Sequence, residues 1–132
     1  MSLTRPTSQE IRSKIDEALA AISLGKCQLG LTHFLARDLE ECFIYDEDDF
    51  WSKLPCFLEE IKRADPVTCY AGKYPPTPSN QPALDGLELW EYHWNSDSLN
   101  GRFYLKFCVK AGRDGKPNYL HVRIHPDRPF ED

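Results

Sequence analysis

Five side chains in the last third of the sequence have the types and spacing for chemistry on a phosphate: Tyr104, Lys106, His121, Arg123 and His125. They fall in two alternating segments, Gly101-Arg-Phe-Tyr-Leu-Lys-Phe-Cys-Val-Lys110 and Asn118-Tyr-Leu-His-Val-Arg-Ile-His125. A strand period of two predicts that these five share one sheet face, while Phe103, Leu105, Phe107, Leu120, Val122 and Ile124 enter a core. Cleaving RNA without a metal takes a base for the 2′-hydroxyl, cations for the charge growing on phosphate, and a donor to the leaving oxygen. His121 can serve as base or acid near neutral pH, Arg123 and Lys106 can hold phosphate, and Tyr104 can orient it or donate a proton. Arg102, His125 and Arg128 extend the set into a basic rim. The plainer alternative is a solvated sheet surface, because half-exposed antiparallel sheets carry the same residue types.

Other chemistries fit less well. His121 and His125 are four apart, which pairs them on a helix, but on a strand they lie roughly 13 Å apart at about 3.4 Å per residue, too far to share a metal ion. No HExxH pattern or glycine-rich phosphate loop occurs, so neither a metal nor a cofactor is expected, and Gly112 and Gly115 read as turn glycines. Cys108 shares the parity of Lys106 and Lys110, which would favour a thiolate, but no base or oxyanion hole accompanies it. The five cysteines are scattered, without a CxxC pair or zinc spacing, and read as reduced, mostly buried thiols.

The chain has 132 residues, 41% of them hydrophobic, which suits one globular domain spanning residues 1–132. No apolar run approaches the roughly 20 residues of a membrane span, and no signal-peptide core follows Met1, so the expected location is cytoplasmic, away from membranes. The net charge of -5 opposes a nucleic-acid partner at first sight. Its distribution counts for more. Residues 1–66 hold 8 Lys/Arg against 13 Asp/Glu, whereas residues 101–128 hold 7 Lys/Arg against Asp114 and Asp127. Positive charge therefore collects on the segment with the polar face, where RNA or another phosphate-bearing ligand could bind.

The elements that must position this face follow from capping and periodicity. Thr7-Ser-Gln-Glu10 has the form of a capping box, and Ile11, Ile15, Leu19 and Ile22 predict a helix over 8–24 that ends at Gly25. A second helix over about 32–42 sets Phe34, Leu35, Leu39 and Cys42 opposite Arg37, Asp38 and Glu41. Acidic Asp46-Glu-Asp-Asp49 opens a third, running to about Arg63 and kinked or restarted at Pro55. Val67–Ala71 is a short strand candidate, and the proline-rich segment 74–82 is a loop. Strands over 87–94, 102–110 and 119–125, joined by short turns, give an antiparallel meander. The predicted fold is α+β, with N-terminal helices packed on one face of a C-terminal antiparallel sheet of three to four strands.

Register decides which side chains meet, because a one-residue slip turns a strand over. Keeping both apolar sets of the last hairpin inside sets Lys106 across from His121 or Arg123, and Tyr104 across from Arg123 or His125. In the preceding strand Glu91 and His93 are poor core residues, so Trp90, Tyr92 and Trp94 are expected to face the helices.

The order of helices, a strand containing Leu89-Trp-Glu-Tyr92, then Gly101-Arg-Phe-Tyr-Leu-Lys106 and a final strand resembles the RelE-like and MqsR-like mRNA-cleaving toxins of bacterial toxin–antitoxin systems. Asp49-Phe-Trp-Ser-Lys53 is similar to a segment preceding the sheet in the MqsR-like group. The resemblance covers most of the chain in layout and about 20 residues in motif. It implies metal-independent endoribonuclease activity, with Lys106, Tyr104, His121 and Arg123 as catalytic residues and a protein partner such as an antitoxin. The proline-rich loop and acidic net charge depart from that family's pattern. A non-catalytic protein-interaction module, binding through the acidic helices, is the alternative.

Overall fold

Helix α1 (Ser8–Ser23) begins at the expected box: the Thr7 hydroxyl accepts from the Glu10 amide, and the Glu10 carboxylate accepts from the Thr7 amide. Ile11, Ile15, Ala18 and Ala21 form its buried stripe. This computed structural model describes residues 7–72, 84 and 86–127. The proline-rich segment 74–82 and Arg128 lie outside the described residues. After α1 come β1 (Cys27–Leu29), α2 (Leu35–Glu41), α3 (Glu47–Ala64), α4 (Pro66–Cys69), β2 (Trp90–Ser96), β3 (Gly101–Ala111) and β4 (Pro117–Pro126).

Asp46 caps α3 by accepting from the Asp49 amide, and acids fill the first turn, where the helix dipole favours them. The helix runs on through Pro55. Proline forfeits one backbone hydrogen bond, but Phe50, Leu54, Phe57, Leu58 and Ile61 bury a stripe on both sides of it, and tertiary packing holds the two halves in line. The strand expected at Val67–Ala71 is instead a single helical turn. Pro66 supplies a helix-ready φ at its start and the Asp65 carboxylate accepts from the Val67 amide, so local capping outweighs the β preference of Val67 and Thr68. Only Tyr70 pairs with the sheet, through an isolated antiparallel bridge to Tyr92.

The sheet order is β1-β4-β3-β2. β2, β3 and β4 form the expected antiparallel meander, and β1 adds a short parallel strand against Tyr119–His121 of β4. Trp90, Tyr92 and Trp94 face the helices as expected. Tyr92 stacks on Phe107 at 5.7 Å between centroids, Phe107 stacks on Tyr119 at 5.1 Å, and the Tyr92 hydroxyl donates to the Ile11 carbonyl at 2.7 Å. Such pairs add about 0.5–1.5 kcal/mol each beyond the area they bury. The buried Glu60 carboxylate of α3 accepts from Trp94 Nε1, Ser96 Oγ and the Ser98 amide, tying that helix to the end of β2. Burial pushes its pKa up, but those hydrogen bonds win and hold it below the ordinary value.

The last hairpin departs from simple alternation. Leu105 pairs with Ile124 and Lys106 with Arg123, but Phe107 pairs with His121, so Val122 is the extra residue of a β-bulge. Beyond the bulge the frame of β4 reverses. Tyr119 and His121 turn toward the helices, whereas Leu120 and Val122 join Cys108 and Leu84 in a second apolar cluster, against which Leu31, Leu87 and Leu89 pack. The expectation that Leu120 and Val122 share a core with Phe103, Leu105 and Phe107 is corrected accordingly. Among the described residues, no helix is long and apolar enough to cross a membrane.

Candidate functional site

Before the bulge the alternation holds, and it builds a grid of polar side chains on the sheet face opposite the helices. Registry sets Glu91, Lys106 and Arg123 in one row and His93, Tyr104 and His125 in the next. Asn95 pairs with Arg102, whose carbonyl accepts from the Asp127 amide just past β4. Each belongs here because its chain neighbours Trp90, Tyr92, Trp94, Phe103, Leu105 and Ile124 are buried on the other side.

Tyr104 is the centre of the grid. Its hydroxyl donates a short hydrogen bond to Glu91 Oε1, and its ring stacks on His125 with centroids 4.9 Å apart. Lys106 Nζ lies 5.9 Å from the Tyr104 ring centroid. Burial and the Glu91 carboxylate raise the phenol pKa far above its ordinary value, so Tyr104 stays a neutral donor. His125 Nδ1–H donates to the Pro126 carbonyl at 2.7 Å, which fixes its tautomer.

His93 has a carboxylate partner: its Nδ1 is 3.4 Å from Asp127 Oδ2, the oxygen that also accepts from Arg102 Nε at 2.9 Å. A carboxylate on one imidazole nitrogen orients the ring and leaves the other nitrogen turned away from it. Arg102 adds a cation beside that pair.

Arg123 serves another purpose than the expected phosphate contact. Its guanidinium donates from Nε and Nη2 to both oxygens of Asp38, at 2.8 and 2.9 Å, and the Ile124 amide also donates to Asp38 Oδ2. Asp38, expected on the solvent face of the second helix, is 1% exposed. β1 is too short to pair with this half of β4, so the edge is open there, and the Asp38 carboxylate satisfies an amide the ladder leaves over. Phe34 covers Arg123, its ring centroid 4.1 Å from Cζ. The hydrogen bonds to Asp38 raise the arginine pKa and commit its charge to the fold.

His121 is absent from the grid. It is 1% exposed on the helical side, 4.4 Å from the Phe50 ring, with Nδ1 3.1 Å from the Tyr119 hydroxyl and Nε2 without a hydrogen-bond partner. Burial, helped by the charge of Arg123, lowers its pKa to about 3. The bulge is the physical reason: one inserted residue moved His121 from the polar face to the core. Cys108, on the other side of the sheet, is fully buried, and desolvation pushes its thiol up to about 12 in spite of Lys106. The five cysteines are not joined in disulfides, and Cys56 is the exposed one.

Of the residues expected from sequence, the fold brings together Tyr104, Lys106, His125 and Arg102. It diverts Arg123 to Asp38 and removes His121. Sequence reasoning passed over Glu91, His93 and Asp127, although His93 shares a face with Tyr104 as soon as Trp90, Tyr92 and Trp94 point inward. Among the described residues, no three His, Cys, Asp or Glu side chains group as metal ligands. No family model, curated protein or solved structure matches the chain.

Proposed function

We propose that this chain is a metal-independent endoribonuclease of the toxin–antitoxin type, working on the face that carries His93, Tyr104 and Lys106. The observation that supports this reading is the row His93–Tyr104–His125 on adjacent strands, with Asp127 against His93 and Lys106 beside Tyr104. In this mechanism His93, oriented by Asp127, takes the proton of a 2′-hydroxyl as that oxygen attacks phosphorus. Lys106 and Arg102 neutralise the charge building on the phosphoryl oxygens. As the bond from phosphorus to the 5′-oxygen breaks, the neutral Tyr104 hydroxyl turns from Glu91 to hydrogen-bond the leaving oxygen, and a solvent water supplies the proton that oxygen takes up. His125 is the shelf that holds the phenol in place.

The test is cleavage of single-stranded RNA in EDTA by wild type, His93→Ala, Lys106→Ala, Tyr104→Phe and His121→Phe. Wild type should cleave, and the variants at His93, Lys106 and Tyr104 should each lose about a hundredfold or more, the usual worth of a positioned acid–base group or of a cation or hydrogen-bond donor aimed at developing charge. His121→Phe should retain activity. A wild type without cleavage in EDTA, or a His93→Ala variant as fast as wild type, rejects the proposal.

A further inference from the structure

The connection between α2 and α3 displays two aromatic side chains to solvent: Phe43 is 89% exposed and Tyr45 is 90% exposed. Their neighbours Cys42 and Ile44 are buried, so the backbone turns outward to expose each one. At Phe43 it does so in the left-handed region, with φ +58°, where a side chain is strained and glycine or asparagine is favoured. Folding alone gains nothing from this placement, since a glycine at that position would relieve the strain and remove apolar surface from water.

Both residues are held in place. The Phe43 amide donates to the Glu40 carbonyl at 3.1 Å, the Ile44 amide to the Leu39 carbonyl at 2.9 Å, and the Tyr45 amide to Asp49 Oδ2 at 2.9 Å. Phe43 stands as a ridge between two hollows. One, of about 200 Å³, has Cys56, Phe57 and Leu99 in its wall, and the other, a wider one along α2, is lined by Leu35, Leu39 and Ile44. Around this ridge negative charge is in excess: residues 40–49 contain six carboxylates and no Lys or Arg, and of the six, Asp49 pairs with Lys53 in the wall of the first hollow and Glu41 with Arg37. Glu40, Asp46, Glu47 and Asp48 are exposed.

We propose that the α2–α3 corner is a docking surface for a basic amphipathic segment of a second protein. The apolar side chains of that segment cover Phe43 and Tyr45 and enter the flanking hollows, while its Lys and Arg residues face Glu40, Glu47 and Asp48. Charge complementarity selects this occupant, because the excess of exposed carboxylates at the corner attracts a basic segment and repels an acidic one. Fixed aromatic anchors inside a polar rim are the usual anatomy of a binding hot spot.

The probe is a synthetic Leu/Lys amphipathic helix of about four turns, compared with its Leu/Glu counterpart, by fluorescence anisotropy at low and high salt. The Leu/Lys peptide should bind wild type, more weakly in high salt. Phe43→Gly combined with Tyr45→Ser keeps the charge and should weaken binding at least about tenfold, the scale of losing hot-spot anchors. Glu40→Lys combined with Asp48→Lys keeps the aromatics and should transfer preference to the Leu/Glu peptide. Equal binding of the two peptides by wild type overturns the proposal, as does retention of affinity by the aromatic variant, which would mean charge attraction alone. Sedimentation showing that wild type self-associates through Phe43 and Tyr45 also overturns it, because the occupant is then a second copy of the chain. RNA cleavage should be the same in all these variants, so the outcome is separate from that of the catalytic proposal.

Discussion

The two halves of the β3–β4 hairpin, on either side of the bulge at Val122, carry similar residue types and give them opposite chemistry. In the half nearer the turn both sheet faces are covered, and ionisable groups are driven toward neutrality: His121 falls to about 3 and Cys108 rises to about 12. In the half farther from the turn the polar face is covered at Arg123, by Asp38 and Phe34, while Tyr104, Lys106, His125 and Arg102 remain within reach of solvent and of one another. A histidine on one side of the bulge is core, whereas a histidine four residues later belongs to a polar site. Residue type is therefore a weaker guide to function than the face on which the type is displayed.

The contrast can be broken most severely at Asp38, which holds the far half to α2. Asp38→Ala should cost about 3–5 kcal/mol in denaturant unfolding, because it leaves Arg123 as a largely buried charge without its partner. Next comes the near half, through pH. The folded pKa of His121, about 3, lies below its ordinary 6.5, so the unfolded chain takes up the proton more readily. The stabilisation from neutral His121 is complete above 6.5 and is lost as pH falls toward 3. Between pH 7 and pH 5 wild type should lose about 2 kcal/mol more stability than His121→Phe, and equal slopes for the two proteins would mean that His121 is not held neutral. Thiol labelling sharpens the same comparison. In the native protein Cys56 should react with iodoacetamide first and Cys108 only on unfolding, as mass spectrometry of the labelled peptides would read. The smallest effect belongs to the open half, where Lys106→Ala and His93→Ala should change unfolding free energy by less than about 0.5 kcal/mol. A large stability loss there would turn the grid from a working surface into a structural one.

Much of this arrangement was legible in the residues. The Thr7–Glu10 box announces α1, the poor fit of Glu91 and His93 to a core sets β2 with its aromatics inward, and parity narrows Lys106 to His121 or Arg123 and Tyr104 to Arg123 or His125, of which the fold takes Arg123 and His125. The bulge was hidden because Leu120, Val122 and Ile124 continue an apolar alternation, so nothing local marks where the frame reverses. A signal lay elsewhere: Leu84, Leu87 and Leu89 need an apolar surface of their own, and a sheet with one wet face provides none. Recognising them as a second layer would have placed Leu120, Val122 and Cys108 beneath it and released His121 to the helices. Asp38 escaped notice for a related reason. A short helix beside a strand edge can turn its carboxylate toward unpaired amides, and helical periodicity cannot distinguish that edge from solvent.

The strand order carries a consequence for how the protein is made. β4 lies between β1 and β3, so an interior strand of the sheet is the one synthesised after the other three. Until it emerges, Cys27–Leu29 has no ladder partner, β3 keeps an unpaired edge, and the Phe50 and Trp51 side chains lack the Tyr119 and His121 rings they pack against. Contacts between residues so far apart in sequence form late and slowly. The nascent chain should therefore offer helices and a β2–β3 hairpin with an exposed edge, a form open to chaperones, and neither Arg123 nor His125 has its place until the final strand is inserted.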